Sequence, residues 1–367
     1  MHRNMSPLRP LMLALLAGAT LAMLGAPAHA ARHRACAPAA TKTAKHRTVK
    51  HRRLCTARPA ASPVTVVENG ITTGLAAVRG TTATVTAPVR PFTADSPWNA
   101  TLPAVTPASS DSSYLVNRLI GLLPAFGPWI NTTSYTAPIY KVGADVPRVK
   151  VIADTTNTLV QGWFASVPLP ADAKPSAGTD GILTLWQPST DTIWEFWQLR
   201  KEADGWHASW GGRLDNVSTS NGVFPAHYGA SASSMSILGG LMTVDEVKAG
   251  RIDHALAMGL PVTALRYVAP AAWTDGKTSG GIPIGTRFRL DPALNVASLR
   301  LPKVAEMIAI AAQKYGIIVR ETSGAVTFYA QDPVNLGSDP WPGLFGGLSP
   351  KQLLASFPWS RLQVVAP

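Results

Sequence analysis

Cysteine is nearly absent from this chain. Of 367 residues two are Cys, Cys36 and Cys55, and the downstream chain has none. That excludes a disulfide-stapled fold beyond residue 55, and a Cys/His zinc site there as well, since the same stretch offers just His207, His227 and His254. Acidic residues are missing from the first 60 positions, which hold eleven of the 33 Lys and Arg. The remaining 22 bases meet 21 acids, so the pI near 10.0 belongs to the N-terminal stretch and makes no case for a nucleic-acid partner of the folded part. No apolar run after residue 30 reaches the length of a membrane span. A G-x-S-x-G elbow, a Walker-type loop and an H-E-x-x-H pair are absent too, and neither a metal nor a cofactor is expected.

The chain that is present divides into three parts by composition. Residues 1–30 carry Arg3 and Arg9, an apolar run from Leu11 to Leu24 and a closing Ala28-His29-Ala30, the pattern of a cleaved secretory signal. Residues 31–88 are basic, Ala/Pro-rich and without apolar period, and read as a disordered tether. Its charge suits a solvated spacer or adhesion to an anionic cell surface. In the oxidising compartment that export implies, an even count favours pairing of Cys36 with Cys55. Residues 89–367 form the globular domain.

Within the domain, Leu185–Trp210 holds five of the eleven tryptophans: Trp186, Trp194, Trp197, Trp206 and Trp210. Ile193, Glu195, Trp197 and Leu199 alternate with Trp194, Phe196 and Gln198, and Asp204-Gly205 supplies a turn. With Ile182–Trp186 this predicts a three-stranded antiparallel meander, its middle strand covered on one side by core and on the other by a groove or second layer. Further strands are expected over Arg148–Ala153, Leu159–Val167, Gly285–Pro292, Ile317–Arg320 and Ala325–Tyr329, with both Arg287 and Arg289 outward. Helices are expected over Asp111–Leu123, ended by Pro124, and over Lys303–Tyr315 with Gly316 following. Thr243–Glu246 and Ser349–Gln352 have capping-box spacing, and Arg251–Ala257 reads as a further helical turn. The fold class is mainly β (α+β), an antiparallel, sandwich-like domain with a few peripheral helices.

The strings Trp194-Glu-Phe-Trp197, Gly205-Trp206-His-Ala-Ser-Trp210-Gly-Gly, Gly250-Arg-Ile-Asp253-His254-Ala-Leu and Gly285-Thr-Arg287-Phe-Arg289-Leu-Asp291-Pro resemble an uncharacterised family of secreted bacterial proteins of this length. The resemblance covers the whole domain and implies a shared fold. It transfers no catalytic residue.

A secreted, tryptophan-rich β domain with scattered carboxylates suits carbohydrate, because indole faces stack on sugar rings while acids and amides take the hydroxyls. At least half of the tryptophans, Trp194 among them, are expected to fill core instead. Glycoside hydrolysis needs two carboxylates, one kept protonated by poor solvation. Glu195 among its aromatic neighbours is the candidate acid, Asp215 its partner and Asp253 a third choice. Trp197, Trp206 and Trp210 are the candidate sugar-binding faces. A uronate lyase would instead use a base such as His254, His207 or Tyr228, with Arg287 and Arg289 neutralising the substrate. For His254 a buried structural role is the stronger reading. A lectin-like, wall-associated protein would need the aromatics alone. The expected partner in each case is a polysaccharide or cell-wall glycan.

Overall fold

Two large cores and a small third cluster of Ala137, Ile182 and Ile237 organise the domain, and one strand lies between the two large ones. A computed structural model describes residues 90–366; the signal, the whole of the tether and both cysteines lie outside the described residues. Helix α1 (Ser112–Phe126) buries Leu115, Val116 and Leu119. It runs through Pro124 instead of ending before it, and Gly127 closes it by donating to the Leu123 carbonyl at 2.8 Å. Asp111 occupies the N-cap position without capping, because its Oδ1 takes the Ser109 hydroxyl at 2.5 Å.

Short strands β1 (Pro128–Asn131), β2 (Ile139–Lys141) and β3 (Val151–Ala153) follow. The next segment, expected as a strand over Leu159–Val167, is helix α2 (Thr158–Phe164). The local reason is Asn157, whose side-chain oxygen accepts from the amides of Leu159 and Val160 at 3.1 Å each. Next come β4 (Leu183–Gln187), β5 (Thr192–Trp197), β6 (Arg200–Glu202), β7 (Gly205–Ala208) and β8 (Trp210–Asp215). β2, β4, β5 and β8 form a four-stranded sheet in that order, while β3, β7 and β6 form a separate three-stranded one. The meander is therefore β4-β5-β8. The Asp204-Gly205 turn joins β6 to β7, a ribbon branching from the main sheet after Gln198, whose left-handed φ of 55° ends β5.

The second half builds a six-stranded sheet in the order β1-β14-β9-β13-β12-β15. Helix α3 (Val244–Lys248) carries the expected capping box, with Thr243 and Glu246 bonding reciprocally. Then come β9 (Leu256–Leu260), β10 (Thr263–Tyr267), β11 (Ile282–Ile284), β12 (Arg287–Leu290), α4 (Lys303–Lys314), β13 (Ile317–Thr322), β14 (Val326–Tyr329), α5 (Trp341–Leu344), α6 (Pro350–Leu353) and β15 (Leu362–Val364). β10 pairs with β11 alone. α6 has the expected capping box at Ser349 and Gln352, and Gly316 follows α4 at φ 90°. Val304, Met307 and Ile308 of α4 are buried, each contributing about 1.5–3 kcal/mol, so the core secures this helix more than its propensity does. The helical turn expected over Arg251–Ala257 is not formed; residues 251–255 are irregular and lead into β9, which is wholly buried in the middle of the sheet.

The domain is strand-rich with few helices, and its sheets are mixed instead of antiparallel. Five strand pairings are parallel: β1–β14, β2–β4, β3–β7, β9–β13 and β10–β11. Parallel pairs need long crossovers. Here β3 and α2 separate β2 from β4, and α4 is part of the path from β9 to β13.

Candidate functional site

β5 sits where the two cores meet. Its even-numbered side chains Trp194 and Phe196 enter the smaller core, where Phe196 packs on Phe164 of α2 at 4.7 Å between ring centres. On its other face Ile193 joins the larger core, Glu195 is sealed, and Trp197 reaches a cleft.

Glu195 is fully buried, and a neighbouring segment is wrapped over it. Its Oε1 accepts the Ser236 hydroxyl at 2.5 Å and the Ile237 and Leu238 amides at 2.7 and 3.4 Å, while Oε2 accepts the Ala230 amide at 3.5 Å. Burial pushes its pKa up to about 7, although these donors and the charge of Arg320 pull the other way. The carboxylate thus supplies the acceptors for the amides of Ala230, Ile237 and Leu238, while residues 234–236 bond to the backbone of residues 222–224. Arg320, 1% exposed, completes the layer. It donates to the Ile237 carbonyl at 3.2 Å and to Glu321 at 2.9 Å, and its guanidinium lies 4.1 Å from the Tyr329 ring centre.

Above this layer opens a cleft of about 1090 Å³. Its walls carry Trp129, Trp197, Trp210, Trp273 and Tyr135, and its acids are Asp180, Asp275 and Glu321. Trp129, Tyr135 and Trp273 are 40%, 46% and 43% exposed, unusual for rings that could pack inward. Trp210 is fixed by its indole N–H donating to the His227 carbonyl at 2.7 Å and by parallel stacking on Tyr228. Trp273 meets the His227 ring edgewise at 3.6 Å. Asp275 is held by Thr322, whose amide and hydroxyl donate to Oδ1 at 3.2 and 2.7 Å.

Comparison with protein-family models, curated proteins and solved structures finds no match.

Of the residues singled out in the sequence, Trp197 and Trp210 line the cleft. Trp206 does not; it is 7% exposed in the smaller core, on the ribbon strand β7. Glu195 lies beneath the cleft and has no exposed surface with which to touch a ligand. Asp215 shares β8 with Trp210 but stands five residues along it, about 17 Å away, where it takes Arg213 at 2.8 Å and Thr192 at 3.1 Å. Asp253 pairs with Arg251 at 3.0 Å outside the cleft. His254 is also elsewhere, with Nδ1 at 2.8 Å from the Ala255 carbonyl and Nε2 at 3.2 Å from Glu246. Burial would lower its pKa, but the Glu246 charge and hydrogen bond outweigh that and raise it.

The arginines expected to face outward are turned in. Arg289, 3% exposed, donates to the carbonyls of Pro103 and Thr106 and to Gln363. Arg287 donates to the Pro97 carbonyl, and burial pushes its pKa down to about 10. The reason is that residues 97–106 cover this end of the six-stranded sheet with carbonyls that need donors, so both guanidinia serve as ties. Tyr135, Trp129, Trp273, Asp180, Asp275 and Glu321 were not among the sequence candidates. The one local hint was Trp273-Thr-Asp275-Gly, a tryptophan beside an acid in a stretch with no apolar period.

Glu202, Asp204 and His207 bring ligand-type atoms within 4.8 Å of one another at the ribbon tip. Both His207 nitrogens already meet carboxylates, Asp154 at 3.2 Å and Asp204 at 3.0 Å, and Arg200 pairs with Asp154 and Glu202. The charges there are answered within the cluster.

The Gly211-Gly212 pair after Trp210 has a steric cause. A Cβ on Gly211 would run into the Glu195 carbonyl oxygen, and one on Gly212 would lie 2.7 Å from the Gly229 amide nitrogen. Gly211→Ala is expected to cost about 3 kcal/mol or more of stability, read from urea unfolding. A loss under about 0.5 kcal/mol would show that β5 and β8 can separate without harm.

Proposed function

We propose that the domain binds an extracellular polysaccharide in the tryptophan-lined cleft. The observation that carries this is the set of rings kept open to solvent, Trp129, Tyr135 and Trp273, facing one cavity with Trp197 and Trp210. Indole and phenol faces match the C–H faces of sugar rings, and flanking carboxylates accept hydroxyl hydrogen bonds. The volume is of the size that takes several sugar units. Export and a basic tether, as read from residues 1–88, place the domain outside the cell in this proposal, with the tether touching an anionic surface.

Hydrolysis is the second reading, because three carboxylates share the cavity with the aromatic walls and a glycosidase asks for two. It now rests on Asp180, Asp275 and Glu321 in place of Glu195 and Asp215. A lyase acting on uronates loses support, since Arg287 and Arg289 are tied elsewhere. The test is a panel of neutral, amino and uronate polysaccharides incubated with the protein, following tryptophan fluorescence, reducing ends and the absorbance of unsaturated products in parallel. Saturable fluorescence change on at least one polymer is expected. A flat response on all of them would sink the reading, and new reducing ends that vanish with Asp275→Asn would promote the hydrolase.

A further inference from the structure

We propose that the cleft selects a cationic glycan, one whose sugars carry free amino groups, over N-acetylated and uronate polymers. This rests on the polysaccharide reading above and names the substrate class. Three carboxylates, Asp180, Asp275 and Glu321, line the cavity, and among the described residues its lining includes no Lys or Arg. The body of the chain has nearly equal numbers of acids and bases, so a cavity with three acids and His227 as its one basic side chain departs from its surroundings.

The nearby cation, Arg320, answers Glu321 and leaves Asp180 and Asp275 as the cleft acids with no ion-pair partner among the described residues. Arg320 is 1% exposed, and its guanidinium is spent on Glu321, the Ile237 carbonyl and the Tyr329 ring. Asp275 receives both Thr322 donors on Oδ1, and its Oδ2 accepts from no donor among the described residues; Thr322 is itself braced by Thr263 at 2.6 Å. Asp180, half-buried, lies in the same lining.

An ammonium group is recognised by aromatic faces together with carboxylates, because the ring quadrupole and the anion act in the same direction. The open rings of Trp129, Tyr135 and Trp273 supply the faces. A uronate would bring a third like charge to Asp180 and Asp275 with no guanidinium to meet it, which selects against it. An N-acetylated sugar keeps the stacking and loses the charge term.

The test is calorimetric titration of the full chain with short oligomers of glucosamine, N-acetylglucosamine and galacturonate. The pH is set mildly acidic, so that amines are protonated and carboxylates are ionised. The glucosamine oligomer is expected to bind about tenfold tighter than its N-acetylated counterpart, and the galacturonate oligomer more weakly than either. Asp180→Asn combined with Asp275→Asn should bring the ratio of the first two toward one, with circular dichroism confirming the fold. Equal or tighter binding of the N-acetylated oligomer overturns the proposal, as does competition by galacturonate or a ratio that survives the double change. Binding without amine preference sinks this inference alone, whereas no binding of any oligomer sinks the polysaccharide reading with it. Tight binding of a lysine-rich peptide in place of the glycans would likewise overturn it.

Discussion

Glu195→Ala is expected to destabilise the domain by about 3–5 kcal/mol, enough to leave many domains of this size only marginally folded. The change strands the Ile237 and Leu238 amides, the Ser236 hydroxyl and the Ala230 amide without their acceptor, and removes the charge that Arg320 feels. It also opens a void between β5 and residues 230–238. Glu195→Gln keeps the Oε1 acceptor but points an N–H₂ at the Ala230 amide, and should cost about 1–3 kcal/mol. The pH dependence separates the two terms. The folded-state pKa of Glu195 is raised to about 7 from 4.5, so the stabilisation it contributes is present in full below 4.5 and is lost as pH rises to about 7. That window is worth on the order of 3 kcal/mol. Urea unfolding of wild type and Glu195→Gln across it should show the gap between them narrowing with rising pH. A gap that widens would mean that the surrounding donors win and the carboxylate is ionised throughout.

Trp129→Ala and Trp273→Ala are each expected to weaken glycan binding roughly thirtyfold, the loss of about 2 kcal/mol typical of a central aromatic contact. Both rings are two-fifths exposed, so the fold should lose no more than about 1 kcal/mol. Trp194→Ala provides the contrast. At 1% exposure, with its indole N–H donating to the Trp163 carbonyl at 3.2 Å, it should cost about 3–5 kcal/mol of stability. Dissociation constants from titration, read beside thermal melts, check the pattern. Unchanged affinity in both exposed-ring variants would remove the cleft as the binding surface.

How much of the site was legible depended on whether its signal was local. Trp197 could be placed on the Glu195 face of β5 from alternation alone, and Trp194 and Phe196 on the opposite one. The inference that Glu195 was an available acid failed because alternation gives the face and not what covers it; residues 230–238, poor in large side chains, close over it. Asp215 follows Gly-Gly in sequence, but extended backbone carries it down β8 away from Trp210. The other cleft residues come from β1, the loop before β2, and the segments around Asp180, Asp275 and Glu321, none of which announces the others.

Capping boxes at Thr243 and Ser349, the 3.6-residue period of α4 with Gly316 behind it, and the alternation in β5 were determined by the sequence, because each depends on groups within a turn or two of one another. β9, Leu-Ala-Met-Gly-Leu, has no β-branched residue and no alternation, and is a strand because β13 and β14 flank it on both sides. The inward turn of Arg287 and Arg289 was likewise decided by the carbonyls of residues 97–106 laid across them. Only the tertiary structure brings the exposed tryptophans and the carboxylates of Asp180, Asp275 and Glu321 to one cavity. Burial and charge balance depend on which distant segment covers a side chain, and short-range pattern in a chain does not carry that information.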